Sequence, residues 1–268
     1  MTKMSVCGKG GSGKSALVTL LAKGARERGY RVLVVDSDES NSGLFRMLGF
    51  NRAPNPLMEL VGGKRSVQQK MLAKFSSGES EHQMELLAQG EILVENIPRQ
   101  YILEQDGIRL VSVGKILQSL EGCACPMGVV SREFLKKLRL KENEVAIVDM
   151  EAGVEHFGRG VETSVDSVLI VVEPSFESLA LAEKVNSLAA GVGISNVWAV
   201  LNKITSEELA AKLKDKLRKR DIALIGAIHH DPQIFEACLE GSPLGGGNAV
   251  GEVGKILDLL LPRRELCA

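Results

Sequence analysis

Residues 4–16 read Met4-Ser5-Val6-Cys7-Gly8-Lys9-Gly10-Gly11-Ser12-Gly13-Lys14-Ser15-Ala16, and this stretch decides the fold. From Gly8 to Ser15 it fits the phosphate-loop pattern G-x-x-x-x-G-K-[ST]. Each residue type answers a physical need. The glycines let backbone N–H groups curl toward phosphate oxygens with no Cβ in the way. Lys14 supplies a mobile positive charge for β- and γ-phosphates, and Ser15 offers a hydroxyl to Mg²⁺. Met4 to Cys7 reads as a buried strand. Ala16 to Glu27 reads as a helix whose N-terminus faces the phosphates. A glycine-rich turn that binds nothing has no need of this strand–loop–helix setting. Gly8 through Ala16 are the expected nucleotide contacts.

Working outward, strands and helices alternate along the chain. Arg31 to Val35 is a second apolar strand, and it runs into Asp36-Ser37-Asp38-Glu39-Ser40-Asn41-Ser42. Carboxylates at the C-terminal end of such a strand lie beside the phosphate loop, where they hold Mg²⁺ or orient an attacking water. Ile108 to Val113 and Glu144 to Val148 are further core strands. The second of these ends in Asp149, a Walker-B-like carboxylate within reach of the Mg²⁺ shell. Ser15, Asp38 and Asp149 are thus the expected magnesium residues. Ser167 to Val172, Val197 to Leu201 and Ala223 to Ile228 complete the strands. A helix is expected at about Val129 to Leu140 and a closing helix at about Val250 to Leu261. The alternation implies one doubly wound, mostly parallel sheet in a single α/β domain of the phosphate-loop type, residues 1–268. Residues 51–107 are the least regular. Pro54, Pro56, a charged helical stretch (Ser66 to Phe75) and a polar segment suggest a surface excursion, with a small hairpin of Ile92 to Val94 and Tyr101 to Leu103.

Composition sets the bounds. The 268 residues are 44% hydrophobic and 25% charged with net charge −1, ordinary for a soluble globular protein. That balance offers no electrostatic case for nucleic acid or an anionic membrane. No apolar run is long enough to span a bilayer, and the first strand begins too early for a signal peptide. Five cysteines, an odd number, fit a reducing cytoplasm better than a disulfide framework.

Lys9 narrows the reading. The run Lys9-Gly10-Gly11-Ser12-Gly13-Lys14-Ser15 resembles the deviant Walker A motif of the MinD/ParA/nitrogenase-iron-protein class of ATPases. The resemblance implies a dimer in which the early lysine reaches the partner's nucleotide, so that Lys9, Lys14 and Asp38 form the catalytic set and Asp38 positions water. It also implies adenine contacts from Asn202, after the sixth strand, and from the loop holding Asp231. Relatives usually show Ile-Pro-x-Asp in that loop, whereas this chain has His229 in place of the proline.

Cys7, Cys238 and Cys267 read as small hydrophobes. Cys123-Ala124-Cys125 does not, because it sits in a short Gly/Pro-bounded loop between a strand and a helix. Two thiols so close make a strained disulfide, and one pair supplies half of a tetrahedral thiolate site. A symmetric dimer with this loop on its axis supplies the other half.

Together with Lys9, three stretches give the chain its resemblance to the CooC-type nickel-insertion ATPases over nearly its whole length: the Cys123–Cys125 loop, Asp149-Met150-Glu151-Ala152-Gly153-Val154-Glu155-His156-Phe157-Gly158-Arg159-Gly160, and Ile97-Pro98 with Asp106-Gly107-Ile108-Arg109-Leu110. The resemblance implies an ATP/ADP- and Mg-dependent homodimer that binds Ni or Zn at Cys123 and Cys125. Its client is carbon monoxide dehydrogenase or acetyl-CoA synthase. The glycine-rich stretch after Asp149 would be a second switch. Three alternatives are weighed against this. A nitrogenase-like electron donor needs a cysteine in residues 150–160, which have none. An iron–sulfur scaffold ATPase usually carries a later CxxC. A positioning ATPase of the MinD/ParA kind is disfavoured by balanced charge and the lack of a basic amphipathic tail.

Overall fold

Met4 and Val6 fall in one hydrophobic cluster and Cys7 in another, because successive side chains of a strand point to opposite faces. That strand, β1 (Thr2–Gly8), lies inside an eight-stranded sheet. The structure, a computed structural model, describes residues 2–41, 43–76, 85–115, 125–151, 154 and 164–263. The remaining strands are β2 (Arg31–Asp36), β3 (Ile92–Leu93), β4 (Leu103–Gln105), β5 (Ile108–Ser112), β6 (Leu138–Arg139), β7 (Glu144–Asp149), β8 (Ser167–Val172), β9 (Val197–Ile204) and β10 (Leu224–His229). The order is β10-β9-β8-β1-β7-β2-β5-β4, and only β4 runs antiparallel to its neighbour. The expected doubly wound, mostly parallel α/β sheet is therefore present.

Helices cover both faces: α1 (Lys14–Glu27), α2 (Leu44–Leu48), α3 (Leu57–Leu60), α4 (Gly63–Ser76), α5 (Cys125–Lys137), α6 (Phe176–Gly191), α7 (Glu207–Arg218), α8 (Pro232–Glu240) and α9 (Asn248–Leu260). Leu17 and Leu21 of α1 pack with Val253 and Leu257 of α9 on one side. Phe134, Leu179, Val185 and Leu213, from α5, α6 and α7, fill the other. Burial on both faces explains the unbroken apolar run Val168-Leu169-Ile170-Val171-Val172, every residue of which is buried.

Three local expectations are corrected. The hairpin is not Ile92 to Val94 against Tyr101 to Leu103. Leu103 pairs instead with Leu110, and Gln105 with Ile108, across the two-residue turn Asp106-Gly107. Both turn residues have positive φ (51° and 75°), which a right-twisted hairpin needs and Asp-Gly readily supplies. α5 starts earlier than expected, at Cys125, and it also ends earlier, because the chain straightens at Leu138 where Leu138–Arg139 pairs in parallel with Ile92–Leu93. Nor are the described residues of 51–107 a superficial excursion. Leu57, Met58, Val61, Val67, Ile92, Ile97 and Tyr101 are buried in the same cluster as α5.

The parallel strands deliver their C-terminal ends to one edge. Gly8, Asp36, Asp149 and His229 are last residues of their strands, Asn202 and Lys203 lie near the end of β9, and Glu173 follows β8. In open α/β sheets that edge is where ligands bind.

Candidate nucleotide site

The site is built first from the loop between β1 and α1. Gly13 caps α1 with φ 98°, no side chain caps the helix, and its first turn carries no acidic residue. The first helical N–H groups and the positive end of the dipole are thus left for an anion. Gly13 is also a steric requirement, since a Cβ there would lie 2.2 Å from Asn202 Nδ2. That amide donates to the Ser12 carbonyl at 2.8 Å, and Ser12 N donates to the Lys9 carbonyl at 3.1 Å. Asn202 thereby ties the end of β9 to the loop 190 residues earlier. Gly10 and Gly11 are exposed at the loop's tip.

Below the loop lies a buried charged cluster. Lys14 Nζ stands 3.9 Å from Asp38 Oδ2, and both side chains are buried. The other Asp38 oxygen accepts from Ser40 N, Ser40 Oγ and Asn41 N, which fixes the carboxylate with Oδ2 toward the lysine. Ser15 Oγ donates to Asp149 Oδ2 at 2.5 Å and accepts from Asn41 Nδ2 at 2.6 Å. Asp36 and Asp149 are register partners on neighbouring strands. Lys115 Nζ donates to Asp36 Oδ1 at 2.7 Å and to the carbonyls of Asp38 and Asn41, bracing the loop after β2.

Burial dominates the electrostatics. It pushes the Asp149 carboxyl up to about 7, helped by the neighbouring Asp36 charge and opposed by the Ser15 hydroxyl. Burial also pushes Asp36 up to about 6, against the pull of Lys115. Asp149 Oδ1 is buried with no hydrogen-bond partner. An orphaned carboxylate oxygen beside a serine hydroxyl suits a hard divalent cation, because Mg²⁺ typically takes one or two protein oxygens, waters and the substrate's phosphates. Ser15 and Asp149 fit such an ion.

Lys9 projects elsewhere. Its Nζ lies 3.3 Å from Glu173 Oε1 and 3.9 Å from Glu177 Oε2, and the side chain is 39% exposed. Lys203, whose backbone has φ 59°, donates to the Gly11 carbonyl and lies 3.2 Å from the other Glu173 oxygen.

Beside the loop is a cavity of about 420 Å³. Ala16, Leu17, Leu20, Ile228, Ile234 and Phe235 give it apolar walls, and Asn202, Lys203, His230 and Asp231 are its polar edge. A flat heterocycle suits such walls. Asp231 lines the cavity, but its carboxylate is occupied. It accepts from Gln233 N and Ile234 N at the start of α8 and from Ala249 N at the start of α9. Burial alone would raise this carboxyl, yet those backbone donors hold it below its usual range. His229 is likewise held, by Glu252 at 2.6 Å and Glu207 at 3.3 Å.

The structure thus brings Lys14, Ser15, Asp38 and Asp149 together under the loop, and puts Ala16, Asn202 and Asp231 at the cavity. It does not bring Lys9 to that cluster. Asn41, Lys115 and Glu173 were not anticipated from sequence. Cys123 and, of the glycine-rich stretch after Asp149, all but Met150, Glu151 and Val154 lie outside the described residues. Cys125 is half-buried at the start of α5. Among the described residues no group of three or more His, Cys, Asp or Glu side chains could hold a metal ion. No helix among them is long and apolar enough to cross a membrane.

Residues 4–244 match the family model described as the CobQ/CobB/MinD/ParA nucleotide binding domain. The chain belongs to that family. A family relative, an uncharacterized ATP-binding protein of Methanocaldococcus jannaschii, is 39% identical over 258 residues, which is 96% of this chain and 99% of that protein. The carbon monoxide dehydrogenase accessory protein CooC of Rhodospirillum rubrum is 32% identical over 273 residues, 97% of this chain and 98% of that one. Among solved structures, the septum site-determining protein MinD of Pyrococcus horikoshii, complexed with Mg-ADP, shares the family fold with TM-score 0.68 at 18% identity, covering 97% of this chain and 96% of its own.

Proposed function

We propose that the chain is an ATPase that works as a nucleotide-dependent homodimer and assists nickel insertion into carbon monoxide dehydrogenase or acetyl-CoA synthase. The observation that carries the ATPase reading is the Ser15–Asp149 pair, with its unpartnered carboxylate oxygen, directly below an uncapped helix N-terminus. Near full-length similarity to the accessory protein CooC supports the maturation role.

In this reading the backbone of Gly8 to Ala16 wraps the phosphates, and Lys14 exchanges its contact with Asp38 for the β- and γ-phosphate oxygens. Ser15 and Asp149, with Asp38 at one remove, hold Mg²⁺, which when bound neutralises and orients the phosphates. The one carboxylate oxygen of Asp38 that faces Lys14 is the atom able to orient the attacking water. Asn202 and the Asp231 loop border the base, Asp231 by holding α8 and α9 in place. Lys9 serves the partner's γ-phosphate, in the manner of an arginine finger supplied in trans. Cys123 and Cys125 of two chains receive Ni²⁺ or Zn²⁺ as cargo, and hydrolysis resets the interface for transfer.

The test is the purified protein's metal content and visible absorbance. Colourless protein taking up one Ni²⁺ or Zn²⁺ per two chains supports the reading. Brown protein with iron and sulfide replaces it with a cluster-bearing ATPase.

A further inference from the structure

Glu173 sits just past the end of β8, next to the phosphate loop, and its carboxylate is shared between two lysines. Oε1 faces Lys9 at 3.3 Å and Oε2 faces Lys203 at 3.2 Å. Lys203 also donates to the Gly11 carbonyl, so the carboxylate is braced against the loop it serves. Glu177, in the first turn of α6, lies 3.9 Å from Lys9.

Given the trans role of Lys9 proposed above, we infer that Glu173 is a positioning residue that holds Lys9 in cis and sets the threshold for dimer closure. One ammonium cannot rest on its own chain's Glu173 and reach a phosphate on another chain. Closure must therefore break the Lys9–Glu173 pair in both subunits. The second lysine makes that exchange reversible, because Lys203 stays behind as counterion and Glu173 is never left unpaired. Burial pushes this carboxyl up, but Lys203 and Lys9 outweigh it and hold the group below its usual range. It is thus ionised throughout neutral pH. The Glu173 side chain is 18% exposed and that of Lys9 39%, so solvent screens the pair and the latch is weak enough to open.

The magnitude follows from two such pairs per dimer. Releasing both should tighten the nucleotide-bound dimer by about tenfold. The experiment is sedimentation velocity of the full chain at saturating AMPPNP and Mg²⁺, comparing wild type, Glu173→Gln, Lys9→Ala and the double variant. Glu173→Gln keeps the side chain's shape and removes its charge. It is expected to dimerise at about tenfold lower concentration than wild type, by that same two-pair reckoning, while on the Lys9→Ala background the same change has no effect. Glu173→Gln dimerising no more tightly than wild type, while Lys9→Ala loses the dimer, overturns the latch and leaves the trans lysine standing. Equal tightening with and without Lys9 also overturns it, since Glu173 would then act through Lys203 alone. Lys9→Ala dimerising and hydrolysing like wild type removes the trans reading on which the latch stands.

Discussion

Replacing Asp149 by Asn should stabilise the protein while removing the site it completes. Asp149 is fully buried, and its carboxyl is pushed up from 3.8 to about 7 by burial and by Asp36. Below pH 3.8 the carboxyl is protonated whether the chain is folded or not, and it contributes no pH dependence. Between there and about pH 7 the folded protein keeps a proton that the unfolded chain has lost. Stability therefore falls as pH rises through that window, the reverse of a salt-bridged aspartate. The full effect above the window is about 2–4 kcal/mol, at 1.36 kcal/mol per pH unit and discounted for coupling to Asp36. Asparagine has the same shape, can donate to Ser15 Oγ and carries no charge. At pH 8, without nucleotide or divalent cation, Asp149→Asn should melt about 5–10 °C above wild type. At pH 5, near the low end of that window, the difference should shrink to roughly a third of its value at pH 8. Thermal melts monitored by circular dichroism from pH 5 to 8.5 test this. A variant that melts at or below wild type at pH 8, or a difference that does not change with pH, would refute the reasoning.

Other substitutions separate the parts of the site. Lys9→Ala and Asp38→Ala should both retain ATP binding and lose turnover by at least about tenfold, measured by calorimetry and phosphate release respectively. Gly13→Ala forces a Cβ into Asn202 Nδ2 at 2.2 Å in a left-handed backbone, and should cost about 1–3 kcal/mol in chemical denaturation along with much of the nucleotide affinity. Cys123→Ala with Cys125→Ala should abolish Ni²⁺- or Zn²⁺-dependent dimerisation in sedimentation and leave ATP binding by the monomer intact. In wild type that metal effect should weaken as pH falls, because thiolate is the ligand form.

How much could be read from sequence depended on how local each signal was. Gly8 to Ser15 specifies its loop through residue types at fixed spacing. Asp36, Asp38 and Asp149 were legible because each lies at or just past the end of an apolar strand. Lys115 and Glu173 were not, since each meets partners well separated in sequence: Lys115 reaches Asp36 across 79 residues and Glu173 reaches Lys9 across 164. Only the order of strands in the sheet brings those ends together. Asn41 was missed for a different reason. It belongs to a quoted run of turn residues, but nothing in the run says that its amide reaches back to Ser15. Two local signals carry more structure than the strand-by-strand expectation uses. Asp106-Gly107 is a strong hairpin turn, and Asp231-Pro232 is a helix start with its cap and first-turn proline, as the Asp231 bonds to Gln233 and Ile234 bear out.

The central claim is that the loop from Gly8 to Ala16 binds MgATP through Lys14. Titration calorimetry of MgATP into the wild-type chain and into Lys14→Ala addresses it directly. One nucleotide bound per wild-type chain, with no measurable binding by a folded Lys14→Ala variant, is the predicted result. Wild-type protein that takes up no MgATP, or a Lys14→Ala variant that binds it with equal affinity, would contradict the account.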